Sequence, residues 1–64
     1  MILGGKIIEV VHEADRTLLY IFRHAGIFQS FYVIAPPDSK YRAGDEIKYE
    51  VAGVNFGWLA EPDQ

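Results

Sequence analysis

Short apolar runs alternate with polar or small residues along the chain, with the period of two that is typical of strands. The runs "KIIEVVH" and "TLLYIF" are rich in β-branched and aromatic residues, and "DEIKYEVA" alternates apolar and charged positions. No stretch keeps the spacing of an amphipathic helix over several turns. The pattern predicts five strands, near residues 5–12, 17–24, 27–35, 45–52 and 56–60.

The segments between these runs have the composition of turns and loops. "EADR" fits a four-residue hairpin loop, Ala25-Gly26 fits a tight turn, and "PPDSKYRAGD" begins with two prolines that cannot donate to a β-ladder. Five short strands without a long helix predict an all-β fold. We expect one domain over residues 1–64, a small five-stranded barrel of the OB-like or SH3-like type.

The two hairpins assign residues to faces. If "EADR" closes the first hairpin, paired residue numbers sum to 29, and if Ala25-Gly26 closes the second, they sum to 51. The predicted core face comprises Ile8, Val10, Leu19, Ile21, Tyr32 and Ile34. The predicted outer face comprises Ile7, Val11, Leu18, Tyr20, Phe22, Phe31 and Val33, with Glu9 and Gln29 among them. We place the second set outside because Glu9 and Gln29 are costly to bury without partners. The alternative is that a bulge, the barrel closure or the long loop covers this surface.

The last third of the chain, "AGVNFGWLAEPDQ", is predicted to form a turn and then the closing strand. Gly57 inside that strand indicates a bulge or a close backbone approach. We expect Trp58, the only tryptophan, to cap the barrel core, because buried area in a small domain depends on its large aromatic residues. The alternative is an exposed stacking platform.

Composition indicates that the interior cannot hold all of the apolar side chains. A chain of 64 residues buries only about 60% of its unfolded surface. Half of the residues are hydrophobic, including one Trp, four Tyr and four Phe, so part of this apolar load is expected on the surface. The chain has no cysteine, and the sequence has neither a signal-peptide pattern nor an apolar run of about 20 residues. We therefore expect a cytoplasmic protein without a membrane segment.

The sequence offers little catalytic chemistry. Ser30 lies in a predicted strand, and "LGGK" lacks the spacing of a phosphate-binding loop. His12, Glu13 and Asp15 are close together in "HEAD", but the other histidine, His24, lies at the far end of the predicted hairpin. We predict no catalytic residues, no metal site and no cofactor.

The predicted outer face is the main functional hypothesis. We interpret Tyr20, Phe22, Phe31 and Val33 as an exposed surface that binds another protein or a second copy of the chain. The protein would then be a non-catalytic interaction module.

Single-stranded nucleic acid is the alternative partner. Residues 16–35 contain no acidic residue, and residues 16–44 carry a net charge of +3 although the whole chain carries −3. Proteins that bind single strands combine aromatic residues with a basic groove. In this alternative, the phosphate contacts come from Arg16, Arg23, Lys40 and Arg42.

"GGKIIEV" and "AGDEIKYEV" together cover about a quarter of the chain. Their spacing resembles that of the first and fourth strands of the cold-shock proteins. The resemblance implies an OB-like barrel. Cold-shock proteins carry Gly-Phe-Gly-Phe-type and Val-Phe-Val-His-type motifs on strands two and three, whereas this chain has "LLYIF" and "SFYVIA". The RNA-binding residues of the family are therefore not carried over.

Overall fold

The computed structural model describes residues 2–22 and 31–60 and contains five strands. They are β1 (Ile2–His12), β2 (Thr17–Ile21), β3 (Phe31–Ala35), β4 (Glu46–Val51) and β5 (Phe56–Leu59). The five predicted strands are confirmed, although β1 begins earlier than the pattern indicated. The predicted ends of β2 and β3 at residues 22–30 fall largely outside the described residues. Within the described ranges there is no helix with the length and hydropathy needed to cross a membrane.

The strands close into a barrel in the order β1-β2-β3-β5-β4. Strands β1, β2 and β3 are antiparallel neighbours, and β4 returns to pair with the other side of β1, which is the Greek-key order. Strand β5 fills the remaining gap, antiparallel to β4 and parallel to β3. The predicted all-β, five-stranded barrel of OB-like or SH3-like architecture is therefore confirmed.

A bulge in β1 determines which of its residues face the core. Strand β1 pairs with β4 along its first half and with β2 along its second, and the register slips between Ile7 and Glu9. Ile8 is the extra residue, so Ile7 points inward with 1% of its surface exposed, while Ile8 is 56% exposed. The predicted register holds from Glu9 to His12. The predicted placement of Ile8 in the core and Ile7 outside is wrong, because it assumed regular pairing.

Strands β2 and β3 pair one residue away from the predicted register. Leu19 pairs with Val33 and Ile21 with Phe31, so paired numbers sum to 52 and not 51. The prediction, which assumed regular pairing from a two-residue turn, is therefore wrong by one residue. The turn predicted at Ala25-Gly26 itself lies outside the described residues.

This shift exchanges the two faces of β3, because side chains alternate along a strand. Phe31 and Val33 face the interior and are 1% and 0% exposed, so their predicted position on an exposed face is wrong. Tyr32 and Ile34, predicted in the core, are instead half-buried on the outer side. The buried core cluster comprises Ile7, Leu19, Ile21, Phe31, Val33, Ala35, Ile47 and Tyr49.

The connection between β3 and β4 is attached to the barrel by hydrogen bonds. The buried hydroxyl of Thr17 donates to the carbonyl oxygen of Pro36 at 2.9 Å, and the Ser39 hydroxyl donates to the same oxygen at 2.8 Å. Gly44 has a positive φ of 99°, a conformation that favours glycine, and its N–H donates to the carbonyl oxygen of Ile7 at 2.7 Å. The connection is thereby held close to the bulge.

The bulge can be tested with two adjacent isoleucines. We expect Ile7→Val to lower the free energy of unfolding by about 0.5–1.5 kcal/mol, because it removes a buried methylene group. Ile8→Val removes the same group from an exposed position and keeps the β-propensity, so it should have almost no effect. Urea denaturation of both variants checks this. Equal losses, or a larger loss for Ile8→Val, would place the bulge elsewhere.

Candidate functional site

Four aromatic side chains form a continuous row on the outer side of β2, β3 and β5. They are Tyr20, Tyr32, Phe56 and Trp58, and we refer to them as the aromatic row. The ring centroids are 5.8 Å apart between Tyr20 and Tyr32 and 6.1 Å apart between Tyr32 and Phe56. Phe56 and Trp58 form the end of the row. Their ring planes are nearly perpendicular and their ring centroids are 6.1 Å apart.

The strand register aligns the row. Tyr20 lies opposite Tyr32, and Tyr32 lies opposite Phe56. Glu9 lies opposite Tyr20 and ends the row on β1. Directly opposed residues on one face of a sheet have Cβ atoms only about 4.5–5.5 Å apart, so large rings at these positions come into contact.

Gly57 directs both aromatic residues of β5 outward. A Cβ atom at residue 57 would overlap the backbone of Glu50 and would lie 3.3 Å from the Phe31 ring, so this position faces inward and only glycine fits. The close backbone approach predicted at Gly57 is confirmed. Since side chains alternate, Phe56 and Trp58 point outward, and Trp58 is 54% exposed. Its predicted role as a cap of the core is wrong.

Aliphatic side chains continue this surface beside the row. Val11, Leu18 and Ile34 are aligned across β1, β2 and β3, and Ile34 lies opposite Trp58 on β5. Val11 and Ile34 are half-buried and Leu18 is buried, although Leu18 is not part of the core cluster. We refer to these three residues and the aromatic row together as the outer face.

The charged residues next to the outer face are mainly acidic. Glu9 is exposed and forms no ion pair with any described residue. Arg16 donates from Nε to Glu13 Oε1 at 2.9 Å. This hydrogen bond is the main reason why the pKa of Arg16 is raised, and the nearby Tyr32 and Asp15 add to the increase. Arg16 immediately precedes β2, two residues before Leu18 of the outer face, and its charge is compensated by Glu13.

The structure divides the predicted binding residues into two groups. Tyr20 is half-buried on the outer side, and Phe22, which follows β2, is 61% exposed, so their predicted outward positions are confirmed. Phe31 and Val33 belong to the core and leave the candidate site. Whether Tyr20 and Phe22 bind a partner stays a prediction.

Tyr32 and Phe56 were not among the predicted site residues, and Trp58 was predicted to lie inside. The sequence Phe-Gly-Trp at residues 56–58 could have indicated that Phe56 and Trp58 lie on the outer side. A glycine between two aromatic residues on a short strand indicates that the aromatic pair shares one face and that the backbone is packed closely on the other.

Among the residues that the structure describes, no contact brings the predicted phosphate-binding residues together. Arg16 immediately precedes β2 and is bonded to Glu13. Lys40 and Arg42 are exposed on the connection between β3 and β4, where the Arg42 N–H donates to Asp45 Oδ2 at 2.9 Å. Arg23 lies outside the described residues.

A shallow depression lies over β1 and β4, away from the aromatic row. It is lined by Gly4, Gly5, Lys6, Glu46, Ile47 and Lys48. In the part of the chain that the structure describes, no group of three or more histidine, aspartate or glutamate side chains is arranged to hold a metal ion. The outer face is therefore the most distinctive surface of the described residues.

Comparisons with protein-family models, curated proteins and solved structures give no match for this chain. The outer face, with the charges beside it, is consequently the basis for a functional proposal.

The position of Gly57 can be tested with a pair of glycine substitutions. We expect Gly57→Ala to destabilise the domain by about 1–3 kcal/mol or more, because the new methyl group overlaps the backbone of β4. Gly4→Ala is the matched control, since a Cβ there comes no closer than 3.9 Å to the carbonyl oxygen of Ile47. It should be neutral, or stabilising by up to about 1 kcal/mol. Thermal unfolding of the two variants measures the difference. Similar stability of the two variants would contradict the inward position of Gly57.

Proposed function

We propose that this chain is a cytoplasmic, non-catalytic interaction module that binds another protein through its outer face. One observation carries the proposal: four aromatic side chains in mutual contact lie outside the core cluster. Tyr and Trp are enriched at protein interfaces because each combines a large apolar area with a hydrogen-bonding group. The row contains only Tyr, Phe and Trp, so we assign it no catalytic step. The absence of cysteine suits a reducing compartment.

Covering the outer face would contribute favourable free energy. Burial of about 400 Å² of apolar surface contributes on the order of 10 kcal/mol before the costs of association are subtracted. Aromatic side chains have few rotatable bonds, so ordering them in an interface costs little entropy. The ring contacts within the row already restrict these side chains, which lowers that cost further.

The charges favour a different protein over a second copy of this chain. The chain has a net charge of −3. Glu9 stands at one end of the aromatic row, and the nearby cation, Arg16, is already bonded to Glu13. Two copies that met face to face would bring carboxylates together without supplying a new cation, and such contacts between like charges are unfavourable.

Single-stranded nucleic acid is the second candidate, and the position of the row supports it. The Greek-key order is that of OB-like barrels, whose second and third strands bind oligonucleotides. Tyr20 and Tyr32 lie on those strands. Binding of the phosphate backbone also requires cations, however, and Arg16 is bonded to Glu13. We therefore favour a protein partner.

The proposal predicts that Trp58→Thr removes partner binding without unfolding the barrel. Proteins from a lysate that are retained by the immobilised parent but not by Trp58→Thr would be identified, purified and titrated calorimetrically against each variant. Tryptophan is enriched among the interface residues whose loss costs about 2 kcal/mol or more, so we expect binding to weaken by at least about 30-fold. Lys40→Ala, which changes an exposed residue outside the row, is the control and should bind like the parent. Far-UV circular dichroism should show the same β-sheet signal for all three.

Three results would contradict the proposal. A purified partner that binds Trp58→Thr as tightly as the parent would place the interface elsewhere. Light scattering that shows a dimer of the parent, lost in Trp58→Thr, would make a second copy the occupant. Binding of an oligothymidylate that falls steeply with salt and is weakened by Trp58→Thr would instead assign the face to nucleic acid.

A further inference from the structure

We infer that the partner presents an arginine or lysine side chain to the Glu9 end of the aromatic row. The aliphatic part of that side chain would pack on Tyr20, and its charged group would meet the Glu9 carboxylate. This inference rests on the proposed function and specifies the chemistry of one contact within it.

Glu9 is available for such a contact. It is exposed, it lies directly opposite Tyr20, and it forms no hydrogen bond or ion pair through its side chain with any described residue. Glu13, which immediately follows β1, already accepts a hydrogen bond from Arg16. A cation that a partner places at the Glu9 end of the row would therefore pair with the Glu9 carboxylate.

The neighbouring rings add a second reason for a cation. The face of an aromatic ring carries negative electrostatic potential, and cations within about 6 Å of a ring centroid are attracted to it. Tyr20 and Tyr32 are in contact, with their ring planes tilted by 54°. Arginine is especially suited to this position, because its planar guanidinium group can pack against a ring and also donate hydrogen bonds to a carboxylate.

The two groups are close enough to act on the same side chain. Directly opposed residues of an antiparallel pair have Cβ atoms about 4.5–5.5 Å apart, so the Glu9 carboxylate and the Tyr20 ring border one small area. Arginine and lysine have long apolar stems that can lie on such a surface while the charged end reaches its margin.

Desolvation of Glu9 on binding is a further reason why the partner should supply a cation. A partner that covers the outer face removes water from Glu9, and a desolvated carboxylate without a cation or hydrogen-bond donor is costly. Glu9 would therefore select against partners that place an apolar or acidic residue at this point. In this role Glu9 determines specificity, while the row supplies most of the apolar contact area.

The test uses two synthetic peptides with identical leucine and phenylalanine positions. The central residue is arginine in one peptide and citrulline, its neutral isostere, in the other. Trp58 is the only tryptophan in the chain and is 54% exposed, so its emission reports when the outer face is covered. Both peptides would be titrated against the parent, Glu9→Gln and Glu46→Gln.

Glu46→Gln is the matched control. Glu46 is exposed on β4 opposite Lys6, away from the aromatic row. Each substitution removes one negative charge from the net −3, so the change in net charge is the same in the two variants. The comparison isolates the local contact, as in a double-mutant cycle.

We expect the parent to bind the arginine peptide about 3- to 10-fold more tightly than the citrulline peptide, given typical ion-pair and cation–π contributions. Glu9→Gln should reduce this preference by about 2- to 5-fold, and Glu46→Gln should retain it.

Two outcomes would overturn the inference but leave the proposed function intact. In one, both peptides bind the parent equally and shift Trp58 emission. In the other, Glu9→Gln and Glu46→Gln reduce the arginine preference equally, which would assign it to net charge. If neither peptide changes Trp58 emission at its solubility limit, the inference and the proposed function both lose their support. An oligothymidylate that does change the emission would then replace the protein partner.

Discussion

The close packing of Gly57 inside the barrel determines the arrangement of the outer surface. No side chain would fit at residue 57, because a Cβ atom there would overlap the backbone of Glu50. On the neighbouring parallel strand, the Phe31 ring lies 3.3 Å from the same position. It also packs against Tyr49 with a centroid distance of 5.3 Å. Once these positions face inward, alternation sends Tyr32 and Trp58 outward. The packing of the interior and the aromatic row outside are therefore two results of the same constraint.

The features that depend on local sequence could be predicted. The five strands follow from runs of β-branched and aromatic residues, and the "EADR" loop sets the pairing of His12 with Thr17. Strand β4 buries Ile47 and Tyr49 and exposes the charged residues between and beside them, as its alternation indicated. In each case a few neighbouring residues contain the information that determines the structure.

The features that depend on barrel closure could not be predicted in the same way. The bulge at Ile8 interrupts regular pairing, and the register of β2 against β3 differs by one residue from the predicted register. Each of these differences exchanges faces. Composition did indicate that some aromatic residues must lie outside a domain of this size. It could not distinguish Phe31, which is in the core, from Tyr32, which is in the row, because adjacent aromatic residues on a strand differ only in the direction set by register.

Strand β5 connects the outer surface to the kinetics of folding. This four-residue strand pairs with β4, its neighbour in sequence, and with β3, where Phe56 lies opposite Tyr32, 24 residues earlier. The pairing with β3 is non-local, so the chain between the strands must close into a loop before these contacts are gained. Since β5 also supplies half of the aromatic row, the row is complete only after the barrel has closed. A molecule that bridges Tyr20 and Trp58 would therefore hold β5 in place and slow the opening of the barrel, so that occupancy of the face would lengthen the lifetime of the folded state.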